Sequence, residues 1–253
     1  MLSKNQLKNI TSLHLKKHRE EKKLFLVEGE KLVNELIHSS FEIVSVYAIK
    51  TWIDNFSGKL NKSLINEVSE SELKKISLLP SPNKVLAVVK QISPILNIVV
   101  LETELSIYLD DIRDPGNLGT IIRLAHWFGI KQIICSSNTV ETYNPKVVQS
   151  TMGSIFHVPI IKKELNEILN LSTKAINIYG AFLDGENIYT KKEFNSGILI
   201  IGNESNGISK TNFPYIKEKI SIPSYDINHS ESLNAAMALG IIVSEYYRRK
   251  NIM

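Results

Sequence analysis

Strand and helix signals alternate through the second half of the chain. Strand candidates fall at 107–110, 132–135, 156–160, 176–181, 198–201 and 220–222. Helical patterns lie between most of them, notably at 120–128, closed by Gly129, and at 164–169, and a long final helix runs over 232–249. Strands that alternate with helices pair in parallel, because each crossover returns the chain to the same end of the sheet. The expectation is a mostly parallel sheet with helices on both faces. Ligands of such sheets bind in the loops at the carboxyl ends of strands, so those loops are where chemistry should be sought.

The first half alternates on a smaller scale. Residues 3–22 read as one helix, with Ser3 as its N-cap and Leu7, Ile10, Leu13 and Leu15 as apolar positions. Strand candidates at 24–27, 43–49 and 85–89 and helices at 30–39 and 70–76 complete a small α/β unit. Pro94 interrupts the pattern, and a linker is placed around 91–97. The domain reading is therefore 1–93, a linker over 94–104, and 105–253.

Composition narrows the classes. The chain has 253 residues, of which 43% are hydrophobic, enough for a substantial core. Its single cysteine, Cys135, rules out an intramolecular disulfide and sits in an apolar run that suits a buried thiol. No Cys/His cluster suits a metal. His14 and His18 share a helix face but lack a third ligand. The amino terminus has no signal-peptide core and no run reaches the length of a membrane helix, so a cytoplasmic protein without membrane association is expected.

Charge is unevenly spread. Residues 1–93 carry a net +5 and residues 94–253 a net −1. Lys4, Lys8, Lys16, Lys17, Arg19, Lys22 and Lys23 crowd the first 23 residues against only Glu20 and Glu21. Such a stripe suits a polyanion partner, and Lys16, Lys17, Arg19, Lys22 and Lys23 are its candidate contacts. A solvated helix face is the competing reading.

Three strand-end segments carry polar side chains suited to chemistry. The first is Asp111-Ile-Arg-Asp-Pro-Gly-Asn-Leu-Gly-Thr-Ile-Ile-Arg123, a loop entering a helix, with Asn117 and Arg123 six positions apart. An arginine there is suited to gripping phosphate with its planar fork. The second is Leu199-Ile-Ile-Gly-Asn-Glu-Ser-Asn-Gly207, a glycine-bounded turn with one acid, Glu204. It is neither a dinucleotide fingerprint nor a phosphate loop, since no Gly-Lys-Ser/Thr follows. The third is Ile220-Ser-Ile-Pro223, followed after a polar loop by Ser232-Leu-Asn-Ala-Ala-Met-Ala-Leu-Gly240. Ser232 and Asn234 stand at the mouth of a helix rich in small residues. Taken singly, each segment also reads as an ordinary helix cap or turn.

In this order, each behind a strand, the three segments resemble the motifs of the SpoU/TrmH RNA methyltransferases of the SPOUT superfamily. Those motifs run N-x-G-x-x-x-R, then G-x-E-x-x-G, then I-P with S-L-N. Here they stand as Asn117-Leu-Gly-Thr-Ile-Ile-Arg123, as Gly202-Asn-Glu-Ser-Asn-Gly207, and as Ile222-Pro223 with Ser232-Leu-Asn234. Ser150-Thr-Met-Gly-Ser-Ile-Phe-His-Val-Pro159 is similar to a family segment between the first two. The resemblance covers about 105–249. Phe25-Leu-Val-Glu-Gly29 and the basic helix before it resemble, over a shorter stretch, the family's ribosomal-protein-like substrate-binding domain.

The resemblance implies a parallel α/β sheet with a trefoil knot at the carboxyl end, preceded by the small α/β domain. It implies S-adenosylmethionine as cofactor, held largely by backbone of the second and third motif loops, and a homodimer. Ala181, Ile201, Gly202, Asn203, Gly207, Ile222 and Leu233 would line the cofactor pocket. Asn117, Arg123, Glu204, Ser232 and Asn234 would form the catalytic set, with Arg123 on the RNA phosphate beside the target ribose. The chain departs from many relatives in carrying Ala235-Ala236 after Ser-Leu-Asn. It also has a long loop before Ser232, with Asp226, His229 and Glu231. The implied activity is transfer of a methyl group to a ribose 2′-hydroxyl of RNA, ribosomal in preference to transfer RNA. A catalytically silent RNA-binding relative and a doubly wound nucleotide-binding enzyme are the alternatives.

Overall fold

A computed structural model of the chain describes residues 2–172, 174–225 and 232–250. Asp226, His229 and Glu231 lie outside the described residues. The chain divides into two compact units. One takes in the residues up to Ile92 together with Glu141–His157, and the other takes in Ser93–Val140 and the described residues from Val158 onward.

The first unit holds a four-stranded mixed sheet in the order β1-β4-β2-β3. Its strands are β1 (Leu24–Glu28), β2 (Ile43–Ala48), β3 (Ile65–Glu67) and β4 (Val85–Lys90). β4 runs antiparallel to both β1 and β2, and β3 is parallel to β2. Side chains alternate across the sheet, as strand geometry requires. Leu26, Tyr47, Leu86 and Val88 join a core with Ile10, Leu13, Leu73 and Ile76. Phe25 packs against Tyr143 with ring centroids 4.4 Å apart and planes tilted by 35°, and meets Phe41, which in turn meets Phe156. Aromatic side chains of Glu141–His157 thus complete the unit's core. Sequence spacing assigned that stretch to the carboxyl-terminal domain, because contacts this far apart along the chain leave no periodic signal.

The helix expected over 3–22 is two helices, α1 (Lys4–Ser12) and α2 (Lys16–Lys22). Ser3 does cap α1, in a reciprocal capping box with Gln6. The break is held by Arg19, whose guanidinium donates to the carbonyls of Leu13 and His14 at 2.8 Å each. The same guanidinium forms a two-pronged ion pair with Glu141, at 2.9 and 2.6 Å. Next come α3 (Glu30–Ile37), α4 (Lys50–Asn55), which sequence reading missed together with β3, and α5 (Glu70–Ile76).

The second unit is built on six parallel strands, ordered β10-β8-β9-β5-β6-β7 among the described residues. The strands are β5 (Leu105–Leu109), β6 (Ile133–Cys135), β7 (Ile160–Lys162), β8 (Ile178–Asn187), β9 (Gly197–Ile201) and β10 (Glu218–Ser221). β5 and β9 are buried along their whole length, as central strands covered on both faces are. Residues 94–104 are not an extended linker. Asn97 caps a helix, α6 (Ile98–Thr103), whose Leu101 is fully buried beside Tyr108, Ile198 and Ile200. The strand expected over 156–160 starts only at Ile160, because 154–156 close a tight helical turn.

Three more helices position the site. α7 (Pro115–Trp127) begins five residues before the expected 120, with Asp114 as cap and Pro115 at its first position. α8 (Pro145–Ser150) belongs to the first unit, and α9 (Leu165–Leu169) covers Tyr108 and Ile134. α10 (Ala235–Arg249) packs on α7, where Leu124 lies 3.5 Å from the position a side chain would take on Gly240. No helix among the described residues is long and apolar enough to cross a membrane.

Candidate active site

At the carboxyl end of β9 the chain enters Gly202–Gly207 and folds back sharply. Asn203 and Gly207 exchange two backbone hydrogen bonds, of 3.0 and 2.9 Å. The turn is so tight that a β-carbon on Gly202 would fall 2.3 Å from the Gly207 carbonyl carbon, and Gly207 itself sits at φ +67°. The first position requires glycine and the second favours it. The Asn203 side chain locks the turn: its Oδ1 accepts from the Ser205 and Asn206 amides, and its Nδ2 donates to the Asp111 carbonyl at 2.8 Å.

Glu204, at the tip, accepts from Asn117 Nδ2. Asn117 lies in the first turn of α7, where the Asp114 cap also holds its backbone amide. Asn117 Oδ1 accepts from Asn234 Nδ2 at 2.8 Å. Asn234 caps α10, its Oδ1 accepting from the Ala236 and Met237 amides. Ser232 Oγ reaches the Glu204 carbonyl at 3.5 Å. Glu204, Asn117, Asn234 and the amino end of α10 therefore form one hydrogen-bonded chain through all three segments. Four of the five residues expected to carry the chemistry meet here.

Arg123 stands apart from that chain. It lies six residues beyond Asn117, about 9 Å along the helix and about 240° around it. Its side chain is exposed and makes no hydrogen bond or ion pair to a described residue. Gly116, Thr120, Arg123 and Trp127 share one side of α7 by helical spacing, and Trp127 is 85% exposed.

Next to the hydrogen-bonded chain is a cavity of about 750 Å³. All seven residues expected to line a cofactor pocket border it: Ala181, Ile201, Gly202, Asn203, Gly207, Ile222 and Leu233. Asn203 does so without offering its amide, which is spent on the turn and on Asp111. Sequence reading missed the opposite wall. β10 pairs with β8 at Tyr179 and Gly180 and resumes only at Glu186, so residues 181–185 bulge out of the ladder. Phe182, Leu183 and Asp184 thereby face the cavity. Gly185, where a β-carbon would fall 2.5 Å from the Ile220 carbonyl carbon, was the available signal of the bulge.

Sequence reading also missed Asp110, only 3% exposed at the end of β5. Its carboxylate accepts from the Ser209 amide at 2.7 Å, from Ser209 Oγ at 2.9 Å and from Asn212 Nδ2 at 2.9 Å. The doubled acid Asp110-Asp111 after a buried strand was the available signal.

The stripe near the amino terminus does not hold together as expected. Arg19 is 2% exposed and bound to Glu141 and two carbonyls, so it has no free donor face for phosphate. Its place in the stripe followed from neighbouring charges, whereas the break in the helix turned it inward. Lys16, Lys17, Lys22 and Lys23 are exposed. Lys16 pairs with Glu20, and Lys22 donates to Ser12 Oγ at 2.9 Å. Cys135 is buried, which pushes its thiol up to about 12, so it remains protonated and inert. No group of metal-binding side chains occurs among the described residues.

Similarities to known proteins run the length of the chain. A 23S rRNA (guanosine(2553)-2′-O)-methyltransferase of Bacillus subtilis, RlmP, is 28% identical over 95% of this chain and 96% of its own. The crystal structure of an rRNA methyltransferase from Sinorhizobium meliloti, bound to AdoMet, superposes with a TM-score of 0.86 at 28% identity, covering 100% of this chain and 97% of that one. A Porphyromonas gingivalis structure assigned to the TrmH family of RNA methyltransferases reaches 0.88 at 33% identity, covering 98% and 99%. Residues 4–87 match the MRM3-like substrate binding domain. Residues 104–244, which contain the cavity and its hydrogen-bonded rim, match the SpoU rRNA methylase family, and the chain belongs to that family.

Proposed function

We propose that this chain methylates a ribose 2′-hydroxyl of ribosomal RNA, with S-adenosylmethionine as the methyl donor. The observation that carries this reading is the convergence of three strand-end segments on one cavity, with Glu204, Asn117 and Asn234 bonded along its edge. The cavity volume of about 750 Å³ lies in the range of small-molecule sites. Its walls fit the cofactor: Ile201, Ile222 and Leu233 offer apolar surface, and the pinched Gly202–Gly207 turn brings backbone amides and carbonyls to the rim. When bound there, S-adenosylmethionine supplies an electrophilic methyl group on a sulfonium.

The residues of the chain position the RNA and steady charge. A ribose hydroxyl is a poor nucleophile that loses its proton as it attacks, and alignment of the reacting atoms accounts for much of the acceleration. Arg123, exposed and unpaired among the described residues, grips the phosphate beside the target ribose and stabilises developing negative charge. It does not accept the proton, because a guanidinium is not deprotonated in proteins. Ser232 and the Asn117–Asn234 pair orient the hydroxyl at the cavity mouth, and Glu204 holds that pair in register.

The first unit collects the RNA, with Lys16, Lys17, Lys22 and Lys23 as phosphate contacts. The protein works as a homodimer, and the exposed apolar surface of α7 and α10, with Trp127 85% and Met237 61% exposed, is the face that a second copy covers. The trefoil knot implied by the family, and residence in the cytoplasm with the ribosome, belong to the same proposal.

The test is methyl transfer from labelled S-adenosylmethionine to ribosomal and transfer RNA that lack the modification. Label recovered in an alkali-resistant dinucleotide from ribosomal RNA supports the reading. Label in transfer RNA alone replaces the substrate class. Cofactor binding without transfer to either RNA, or no cofactor binding at all, overturns it in favour of a silent RNA-binding relative.

A further inference from the structure

The Gly202–Gly207 turn is clamped at both ends by consecutive residues of one strand end. At its start, Asn203 Nδ2 donates to the Asp111 carbonyl. At its exit, the Asp110 carboxylate accepts three hydrogen bonds from Ser209 and Asn212. Between these clamps, Ile208 is 4% exposed and borders the cavity, as does Phe213 one residue beyond Asn212. Asp110 itself does not border the cavity.

Its chemistry suits the task. A carboxylate offers acceptors on both oxygens, and here it receives two donor-only groups, the Ser209 amide and Asn212 Nδ2, on one oxygen and the Ser209 hydroxyl on the other. Bonds to a charged acceptor are shorter and stronger than neutral ones, so a buried carboxylate here fixes the backbone at Ser209 more firmly than an amide could. An asparagine keeps an acceptor for the Ser209 amide and Asn212 Nδ2 and can donate to Ser209 Oγ, but it exchanges all three bonds to a carboxylate for weaker neutral ones.

We infer that Asp110 is a positioning residue for cofactor binding, which sets the exit of the Gly202–Gly207 turn and thereby holds Ile208 and Phe213 against the cofactor. The inference rests on the proposed cofactor, and it locates the control of affinity outside the cavity. Loss of the clamp raises the dissociation constant and the KM for S-adenosylmethionine and leaves the KM for RNA and kcat at saturating cofactor near wild type.

The experiment compares Asp110→Asn, Ser209→Ala and Asn212→Ala with the wild-type protein. S-adenosylmethionine binding is measured by calorimetry, and kcat and both KM values by methyl transfer to ribosomal RNA. Asp110→Asn should weaken cofactor binding about tenfold or more, and the single-donor variants by smaller factors. A change that merely destabilised the fold would lower the active fraction and so kcat, without moving the cofactor KM. If Asp110→Asn does not fold, Ser209→Ala and Asn212→Ala decide the matter, since each removes one side-chain donor and keeps the carboxylate. Unchanged cofactor affinity in every folded variant, or a fall in kcat alone, overturns the inference. A wild-type protein that binds no S-adenosylmethionine overturns instead the cofactor reading on which it rests.

Discussion

Asn234 Nδ2 donates to Asn117 Oδ1 across 2.8 Å, joining the first turns of two helices whose residues lie 117 positions apart in the chain. One asparagine thus does two things: its oxygen caps α10 and its nitrogen holds α7. The two roles can be separated by substitution. Asn234→Asp keeps the cap but replaces the donor with an acceptor facing Asn117 Oδ1. Its stability to urea should stay within about 0.5 kcal/mol of wild type, while methyl transfer falls about tenfold or more. Asn234→Ala loses the cap as well and should unfold about 1 kcal/mol more easily. Equal activity in Asn234→Asp and wild type would remove the bridge from the catalytic argument.

Arg123 is bound to no described residue through its side chain. Arg123→Ala should leave both the melting temperature and S-adenosylmethionine affinity unchanged, because its side chain is exposed and unpaired among the described residues. Transfer to RNA should fall by about two orders of magnitude, the scale on which lost transition-state charge stabilisation is felt. Near-normal turnover in this variant would sink the assignment.

Arg19 is predicted to be structural. Its guanidinium is buried with Glu141, whose side chain is 12% exposed. Removing one partner of such a pair leaves an uncompensated charge and costs about 3–5 kcal/mol. Arg19→Ala and Glu141→Ala should therefore both be strongly destabilised in denaturant titrations. Lys16→Ala and Lys17→Ala should be stable and weaken RNA binding, with a shallower dependence on salt. A stable Arg19→Ala variant with selectively weakened RNA binding would restore Arg19 to the basic stripe.

The carboxyl end of α10 carries a pH signature. Hydrogen bonds from Arg248 oppose the cost of burial and, with those from Arg249, bring the Glu245 carboxyl down from 4.5 to about 2. Arg249 also donates to the carbonyls of Ile188 and Lys191, tying the helix to the segment after β8. A depressed folded-state pKa means the stabilisation is complete above about pH 4.5 and lost as pH falls toward 2. The gap in stability between wild type and Glu245→Gln should be widest near neutrality and narrow through that window. A gap that stays constant down to pH 2 would show that Glu245 acts through packing alone.

Trp127 tests the dimer. It is 85% exposed on α7, and Met237 is 61% exposed on α10, which packs beside α7. Sedimentation velocity should find a dimer in the wild type and a shift to monomer in Trp127→Glu, since a charge would be buried without a partner. A wild-type monomer across the accessible concentrations would end the proposal.

Local chemistry was legible along the chain. The parallel α/β plan follows from strand and helix periodicities, and the Ser3 cap from the residues beside it. The three polar segments announced themselves because each sits behind a buried strand, where parallel sheets gather their loops. The residues that border the cavity were named through the resemblance of these segments to the SpoU/TrmH motifs.

Tertiary structure decided whatever depends on partners distant in sequence. Asn117 became a link between Glu204 and Asn234 only when α7 and α10 packed together. Arg19 left the basic stripe because the helix breaks at Leu13 and Glu141 waits 122 residues away. The stretch Glu141–His157 went to the first unit through ring contacts with Phe25 and Phe41. Asp110 acquired its three donors from a segment about 100 residues downstream. Periodicity records which face of an element is apolar, whereas hydrogen bonds and ion pairs are directional and short, and only the folded chain brings their atoms within reach.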